Sequence, residues 1–247
     1  RFFDWALKGV NNGWPDEPPV RLEVVDEGAA PVSVTHETAW PPEDLFWRTL
    51  HLDAAAGTVG ETAPDADAVA RLDSPNGLLA FVWTASEDMD LIGPMVLTLS
   101  VAVEGGDDAT LFVGCRKMRA GREVLFEGSY GFSGDMMSKG WQRLSHRELD
   151  PTLSTPIFPV HAHRRAEPLA PGEVVDVKIA LRPHATRFRK GDQLRLELAG
   201  RWHYPQDPLR GQFPGNYQKG PEVTCFVHTG PGRGSSLLVG TRPPKSG

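Results

Sequence analysis

The chain has 247 residues, a formal net charge of −6 and a hydrophobic fraction of 40%, which fits one large soluble domain or two small ones. The negative charge argues against a nucleic-acid partner, because binding phosphates needs a concentrated basic face. No apolar run approaches the roughly 20 residues that span a bilayer, which argues against a membrane protein. The 26 glycines and 22 prolines are typical of many short strands joined by turns.

The first nine residues, RFFDWALKG, predict a short amphipathic helix that ends at Gly9. Its apolar side carries Phe2, Phe3 and Leu7. A helix this short is not stable alone, so we expect its aromatic face to pack on another surface. The turn-rich connector NNGWPDEPP then leads to a first strand that starts at Pro19.

The next third of the chain alternates between strands and polar segments. After the first strand the chain is polar up to Ala39, and then Phe46–Leu52 reads as a strand. Residues 53–77 are small, acidic and turn-forming, which predicts a long surface excursion. Leu78–Ala85 predicts a further strand from its aromatic and β-branched content. Three tryptophans in these strand-like contexts are expected in the core: Trp40, Trp47 and Trp83.

In the middle of the chain, SEDMDLIGP (residues 86–94) reads as a turn before a strand that starts at Met95. Two further strands are separated by a turn at Arg119–Gly121, which predicts a hairpin. Residues 134–170 are rich in Pro, Ser and His and are expected to be irregular. Alternation resumes in VVDVKIALRP, which begins at Val174.

The stretch Phe188–Trp202 reads as a polar turn followed by a core strand. Leu194, Leu196 and Leu198 alternate with charged residues, so the leucines share one face. Two last strands, VTCFVHTG and SSLLVG, bring the total to about ten with almost no helix. Long irregular connections favour an all-β, two-sheet sandwich of jelly-roll type over an up-and-down barrel.

A search for catalytic motifs is negative. No serine lies in a G-x-S-x-G elbow, and the nearest match, Gly131-Phe132-Ser133-Gly134, has Asp135 where the last glycine belongs. There is also no P-loop, G-x-G-x-x-G or H-E-x-x-H motif. We therefore predict neither catalytic residues nor a cofactor in this chain.

Metal sites and a disulfide are also disfavoured. His161 and His163 could share a face of a strand and bind a metal, but no further ligand cluster accompanies them and two arginines follow. We therefore expect solvated histidines and no metal. Acidic turns at residues 65–67 and 87–90 lack calcium-loop spacing. Cys115 and Cys225 are expected to be buried free thiols, although a disulfide stays open if their strands are neighbours.

The aromatic, proline-rich loop after the last leucine strand is the main candidate for ligand contacts. Its aromatic side chains are Trp202, His203, Tyr204, Phe213 and Tyr217. These side chains could line a pocket or stack on a sugar ring. Alternatively, they could close the end of the sandwich or pack against another domain, and we favour this structural or interface interpretation.

The order of five motifs resembles the C-terminal part of the cocaine-esterase-like (CocE/NonD) hydrolases and the X-Pro dipeptidyl-peptidases. In order, the motifs are RFFDWALKG, EPPVRLEV, WPPEDLFWRTLHLD, SEDMDLIGP and LAPGEVVDVKIALRPHATRFRKGDQLRLELAG. The match is weakest at residues 53–77 and 134–160 and at the tail, where Val227-His228-Thr229 and Ser235-Ser236-Leu237-Leu238 replace the usual family pattern.

The resemblance implies two segments. Residues 1–18 would be the terminal helix of an α/β-hydrolase domain plus a connector, and residues 19–247 a jelly-roll domain with a galactose-binding-like fold. The family's serine, acid and histidine precede the first motif, so none is carried onto this chain. The implied role is that of a non-catalytic β-sandwich, which helps to enclose an ester or peptide pocket. Phe2, Phe3 and Leu7 would face the hydrolase domain.

Some partners and the location stay open. The resemblance is compatible with a homo-oligomer as well as with a hydrolase domain in the same polypeptide. The sequence does not fix a compartment, although a cytoplasmic location is favoured. The alternative function is an independent carbohydrate- or ligand-binding jelly-roll module that uses Trp202, Tyr204 or Tyr217.

Overall fold

A computed structural model describes residues 1–28, 30–128, 134–204 and 219–245. These residues form one α-helix, α1 (Phe2–Lys8), two 3₁₀ turns (Trp14–Asp16 and Leu144–His146) and sixteen strands. The strands are β1 (Val20–Val25), β2 (Pro31–Glu37), β3 (Phe46–Asp53), β4 (Thr58–Gly60), β5 (Ala68–Ser74), β6 (Leu78–Thr84), β7 (Met89–Glu104), β8 (Thr110–Arg119), β9 (Arg122–Val124), β10 (Phe126–Glu127), β11 (Gly134–Asp135), β12 (Ser138–Arg143), β13 (Val174–Phe188), β14 (Gln193–Ala199), β15 (Val223–Thr229) and β16 (Ser236–Arg242).

The strands form one curled sheet that folds into two facing layers. One layer has the order β12-β8-β14-β6, and the other has the order β3-β16-β7-β13-β1-β2, with β15 and β5 beside the second half of β7. The short strand β4 pairs with both β6 and β3 and so joins the layers along one side. On the opposite side β12 lies against β13. The predicted all-β sandwich with a short N-terminal helix is confirmed.

Alternating side chains of both layers fill the space between them. Leu194, Leu196 and Leu198 of β14 are fully buried there, as their alternation predicts. Because β14 pairs with β6 on one side and β8 on the other, it is a central strand of its layer.

The hairpin at Arg119–Gly121 is also confirmed, since β8 pairs with β9 across it. Cys115 and Cys225 are free and buried, and burial raises the pKa of each thiol to about 12.

Three strands lie where polar loops are predicted. The polar stretch before Ala39 contains β2, and the expected surface excursion at residues 53–77 contains β4 and β5. Within the described residues, β2 pairs only with β1 and β5 only with β15, so both are edge strands of the described sheet. An edge strand is stabilised by hydrogen bonds to a single neighbouring strand and needs little apolar side-chain area of its own. For that reason its sequence lacks a strong alternation signal.

The predicted boundaries of two long strands are also wrong. The expected turn at residues 86–94 is mostly strand, because β7 begins at Met89, and β13 continues past Pro183 to Phe188. The two strands pair with a one-residue bulge between Leu181 and His184 on β13. The bulge interrupts the ladder where Pro183 has no amide hydrogen to donate, so both strands tolerate residues that usually end a strand. In the segment expected to be irregular, residues 138–143 form β12.

Two of the three tryptophans assigned to the core are not in it. Trp83 is buried as expected, but Trp40 and Trp47 are 39% and 38% exposed. Trp47 packs beside Gly93 and Gly240, because a Cβ on these glycines would lie 3.9 and 3.4 Å from its ring. It therefore covers the outer surface of its layer, where one side of the indole meets the sheet and the other meets solvent.

A buried ionic network connects three segments of the sandwich. The fully buried Lys117 on β8 contacts the carboxylates of Asp26 and Asp192, at 3.3 Å for Asp192. Arg119 bridges the same two carboxylates at 2.8 and 2.7 Å. Burial alone would raise the pKa of Asp26, but hydrogen bonds from Arg119 and Lys117 outweigh it and lower the pKa to about 2. The network therefore holds two ionised carboxylates at the junction of β1, β8 and the β13–β14 turn.

No α-helix in the described part of the chain has the length and apolar composition of a membrane span.

Candidate functional site

The aromatic residues that follow β14 lie on the outer face of the β12-β8-β14-β6 layer. Trp202 and Tyr204 are buried there in a small cluster with Phe112 and Met136, separate from the main core. Phe112 faces outward because its neighbours Leu111 and Val113 face inward. Phe213 and Tyr217, the other two aromatic residues predicted for this site, lie outside the described residues.

Trp202 is the centre of this outer cluster and is only 2% exposed. Its indole lies edge-on to Phe112 (6.3 Å), Trp141 (6.2 Å) and Tyr204 (6.2 Å). Lys139 Nζ lies 5.3 Å from the centre of the indole, within cation–π range. The Trp202 side chain is therefore a packing element within this chain, and the exposed aromatic beside it is Trp141.

Tyr204 is held by both its ring and its hydroxyl. The Met136 amide donates a hydrogen bond of 3.0 Å to the Tyr204 hydroxyl, and the Arg116 guanidinium lies 5.6 Å from the ring centre. Burial raises the pKa of Tyr204 to about 12. The phenol is therefore neutral near pH 7 and unsuited to act as a base.

A cleft of about 410 Å³ lies next to this cluster. Its lining includes a charged group in which Arg116 donates to Glu197 at 2.8 Å and to Glu123 at 2.7 Å. His203 Nδ1 lies 3.6 Å from Glu197. None of the described residues lining the cleft is a serine, cysteine or threonine. Among these described lining residues, the His203–Glu197 pair therefore has no hydroxyl or thiol nucleophile to activate, as covalent hydrolysis by a serine or cysteine requires.

The buried imidazole of His203 has a thermodynamic consequence. Burial lowers its pKa to about 4, against the opposing influence of the Glu197 carboxylate. In the unfolded chain the histidine has its ordinary pKa near 6.5, so between pH 6.5 and 4 the unfolded state binds a proton that the folded state does not. The stability that this group contributes is therefore present above pH 6.5 and is lost as the pH falls towards 4.

We expect His203→Gln to reduce the pH dependence of folding. The fall in the free energy of unfolding between pH 7 and pH 5 should be smaller in the variant by roughly 1–2 kcal/mol. Urea denaturation at the two pH values measures this difference. The exposed histidine variant His36→Gln is the matched control. An unchanged pH dependence in His203→Gln would show that the imidazole is not held neutral by the fold. His184, whose pKa burial also lowers to about 4, accounts for part of the remaining dependence.

The second predicted surface, the apolar face of α1, is exposed. No residue of α1 is buried, and Phe3 and Leu7 are 68% and 77% exposed. The Arg1 side chain contacts Glu17 and donates to the Gly13 carbonyl at 3.0 Å, and Phe2 packs on Trp14 at 5.2 Å. The helix is thus folded against its own connector, and its aromatic face is left to solvent.

The histidine pair considered for a metal lies in the loop before β13. The His161 and His163 ring centres are 6.0 Å apart, and His146 lies 5.5 Å from His163. Among the described ranges, no group of three or more His, Cys, Asp or Glu side chains is arranged to hold a metal ion.

Several residues of the outer cluster have no local sequence signal. Arg116, Lys139 and Asp135 look like ordinary surface charges in sequence, yet Arg116 lies over the Tyr204 ring, Lys139 lies over the Trp202 ring, and Asp135 pairs with Lys139. The two contacts with aromatic rings join segments about 60–90 residues apart, and no short-range pattern encodes such a distance. Only the alternation of Lys139, Trp141 and Arg143 on one side of β12 could have marked that strand.

Comparison with known families gives a match over most of the chain. A family model described as "X-Pro dipeptidyl-peptidase C-terminal non-catalytic domain" matches residues 12–238. The curated proteins include no match.

Among solved structures, the chain is similar to a CocE/NonD family hydrolase from Staphylococcus aureus. Two structures of it are 29% and 30% identical to the chain, with TM-scores of 0.87 and 0.86. The alignments cover 98% and 97% of this chain and 44% of the hydrolase. An α-amino acid ester hydrolase shares the fold at 19% identity and a TM-score of 0.63, over 98% of this chain and 44% of its own. The chain thus spans less than half the length of these relatives.

Proposed function

Because the chain belongs to the family of X-Pro dipeptidyl-peptidase C-terminal non-catalytic domains, we propose that it is the accessory β-sandwich of a serine-dependent α/β-hydrolase. In this role it packs on the catalytic domain and helps to enclose the substrate pocket. The substrate class is an ester or an X-Pro peptide. The catalytic domain supplies the serine, histidine and acid that attack the carbonyl carbon.

The observation that carries this proposal is the exposed aromatic face of α1. A seven-residue helix with Phe2, Phe3, Trp5 and Leu7 has too few backbone hydrogen bonds to be stable by itself. A contiguous apolar surface of this kind marks an interaction site. The solved relatives extend well beyond the region that aligns with this chain, which supports a further domain as the occupant.

The same surface supports a division of the chain at residue 18. Residues 1–18 form the helix and its connector, linked by the Arg1–Glu17 ion pair, and belong structurally to the catalytic domain. Residues 19–247 form the sandwich. On this proposal Trp202, His203 and Tyr204, with Phe213 and Tyr217, lie at a domain interface or in the wall of the substrate pocket.

The first test is catalytic. We expect the purified 247-residue chain to give no turnover of p-nitrophenyl esters or of Gly-Pro-p-nitroanilide, because its sequence has no G-x-S-x-G nucleophile elbow. The matched control is the full-length hydrolase, which should turn over one of these substrates. Turnover by the isolated chain that a serine-directed inhibitor abolishes would overturn the non-catalytic role.

The second test concerns the interface. We expect Phe3→Ser/Leu7→Ser to leave the unfolding free energy of the isolated chain within about 0.5 kcal/mol, since both side chains are already exposed there. In the full-length hydrolase the same pair should reduce stability by about 3 kcal/mol, because two buried apolar side chains are lost. Denaturant unfolding measures both values.

The matched control for the interface test is Val69→Ser, an exposed apolar position on β5 of the sandwich. It should have little effect in either protein. An equal response of the full-length hydrolase to Val69→Ser and to the double variant would contradict α1 as the docking element.

A further inference from the structure

A second, larger cleft lies on the side of the sandwich where β12 meets β13. Its volume is about 830 Å³, within the range of small-molecule sites. The two strands touch at Gly140, where a Cβ would lie only 2.3 Å from the Ala180 carbonyl oxygen. On the β13 side, the bulge between Leu181 and His184 brings Arg182 and Pro183 into the lining.

One wall of this cleft is an exposed and anchored tryptophan. Trp141 is 47% exposed, although its ring lies edge-on (85°) to the buried Trp202 at 6.2 Å. Packing on Trp202 fixes the indole before any ligand arrives, which lowers the entropic cost of binding. Gly140, Ala180, Leu181 and Pro183 add apolar surface beside it, and Gln142, His146 and His163 are the neutral polar side chains of the lining. The cleft therefore suits a ligand with a ring.

The charge of the lining is uniformly positive. Its charged members are Lys139, Arg143 and Arg182, and none of the described lining residues is acidic. Lys139 is paired with Asp135, and Arg143 with Asp108 at 2.5 Å. For Arg182 the nearest carboxylate is Asp135 at 3.9 Å, beyond hydrogen-bond distance. The Arg182 guanidinium makes no side-chain hydrogen bond within the described residues. Its N–H groups can therefore donate hydrogen bonds to a ligand in the cleft.

We propose that this cleft binds a small ring-bearing monocarboxylate, with the ring on Trp141 and the carboxylate on Arg182. A guanidinium binds a carboxylate through two parallel hydrogen bonds, and one available guanidinium balances one negative charge. A phosphate dianion would need a second uncommitted cation, and here the other two are neutralised by Asp135 and Asp108. The assignment concerns a site on the sandwich itself and is independent of the proposed role of α1.

The test uses the complete 247-residue chain and 3-phenylpropionate as the probe, with binding followed by calorimetry and by NMR of the indole N–H signals. We expect a dissociation constant on the order of 1 mM, as suits a ligand of this size. Two control compounds test the carboxylate and the ring of the probe separately, since 3-phenylpropanamide lacks the charge and butyrate lacks the ring. Each should bind at least about tenfold more weakly.

Amino-acid substitutions then test whether the probe binds in this cleft. Arg182→Gln and Trp141→Ala should each weaken 3-phenylpropionate at least about tenfold, and Arg182→Lys should retain part of the affinity. Arg21→Gln, at an exposed arginine on β1, should have no effect. Circular dichroism verifies folding, and Trp141→Phe replaces Trp141→Ala if the latter unfolds.

Three results would overturn the assignment. They are the absence of saturable binding, equal affinity for the amide, and unchanged affinity in Arg182→Gln. Tighter binding of phenyl phosphate than of 3-phenylpropionate would also reject the monocarboxylate class, because it would show a second available cation in the cleft.

Discussion

Lys117→Met is expected to lower the free energy of unfolding of this domain by about 3–5 kcal/mol. The ammonium of Lys117 is fully buried and contacts Asp26, Asp192 and the carbonyl of Arg187. Its removal leaves two carboxylates in a buried junction with one fewer cation, and an uncompensated buried charge is costly. In a domain of this size the midpoint of thermal unfolding should fall by roughly 10 °C.

Denaturant and thermal unfolding of Lys117→Met and Lys190→Met together test this expectation. Lys190 is an exposed lysine in the β13–β14 turn, close to the same network, and its replacement should cost no more than about 0.5 kcal/mol. A Lys117→Met chain as stable as Lys190→Met would mean that Arg119, with Arg189 on Asp26 at 2.9 Å, is enough to neutralise the two carboxylates. The bridging contacts of Arg119 at 2.8 and 2.7 Å make that the specific alternative.

Trp202→Ala is expected to destabilise the domain by about 3–5 kcal/mol. The indole fills the centre of the outer cluster between Phe112, Tyr204 and Trp141, so truncation leaves a cavity that three rings border. The loss of the indole also removes the partner that lies beneath Lys139. Trp202→Phe retains part of the packing and should recover about half of the loss.

Trp40→Ala is the matched control for this second prediction, because it removes an indole that is already 39% exposed. We expect it to cost about 1 kcal/mol, as measured by chemical denaturation. If Trp202→Ala and Trp40→Ala lower the free energy of unfolding equally, the outer cluster would contribute no more to stability than ordinary surface packing does. Since Trp202 also holds Trp141 in place, Trp202→Ala should in addition weaken 3-phenylpropionate binding.

The candidate sites could be predicted only in part from the sequence. The aromatic composition after Leu198 drew attention to Trp202, His203 and Tyr204, but it could not reveal that Trp202 and Tyr204 are buried on the outer face of a sheet. Burial there depends on Phe112 and Met136, which come from separate segments. The cleft beside Trp141 was missed for the same reason, because its walls belong to strands about 40 residues apart that come together near Gly140.

The sequence by itself determined the fold class, the central strands and the absence of a nucleophile elbow. Leu194, Leu196 and Leu198 alternate with polar residues, and a period of two places them on one face whatever their partners are. It likewise determined α1, whose end at Gly9 is confirmed by a positive φ of 66°.

Only the tertiary structure decided which strands form the edges, which tryptophans are exposed and which charges are buried. β2 and β5 are stabilised by pairing with β1 and β15, so their own residues carry little apolar signal. Lys117 is buried because its β8 position meets Asp26 and Asp192 from other strands and turns. Alternation is a property of one segment, whereas pairing, burial and charge compensation depend on contacts between segments.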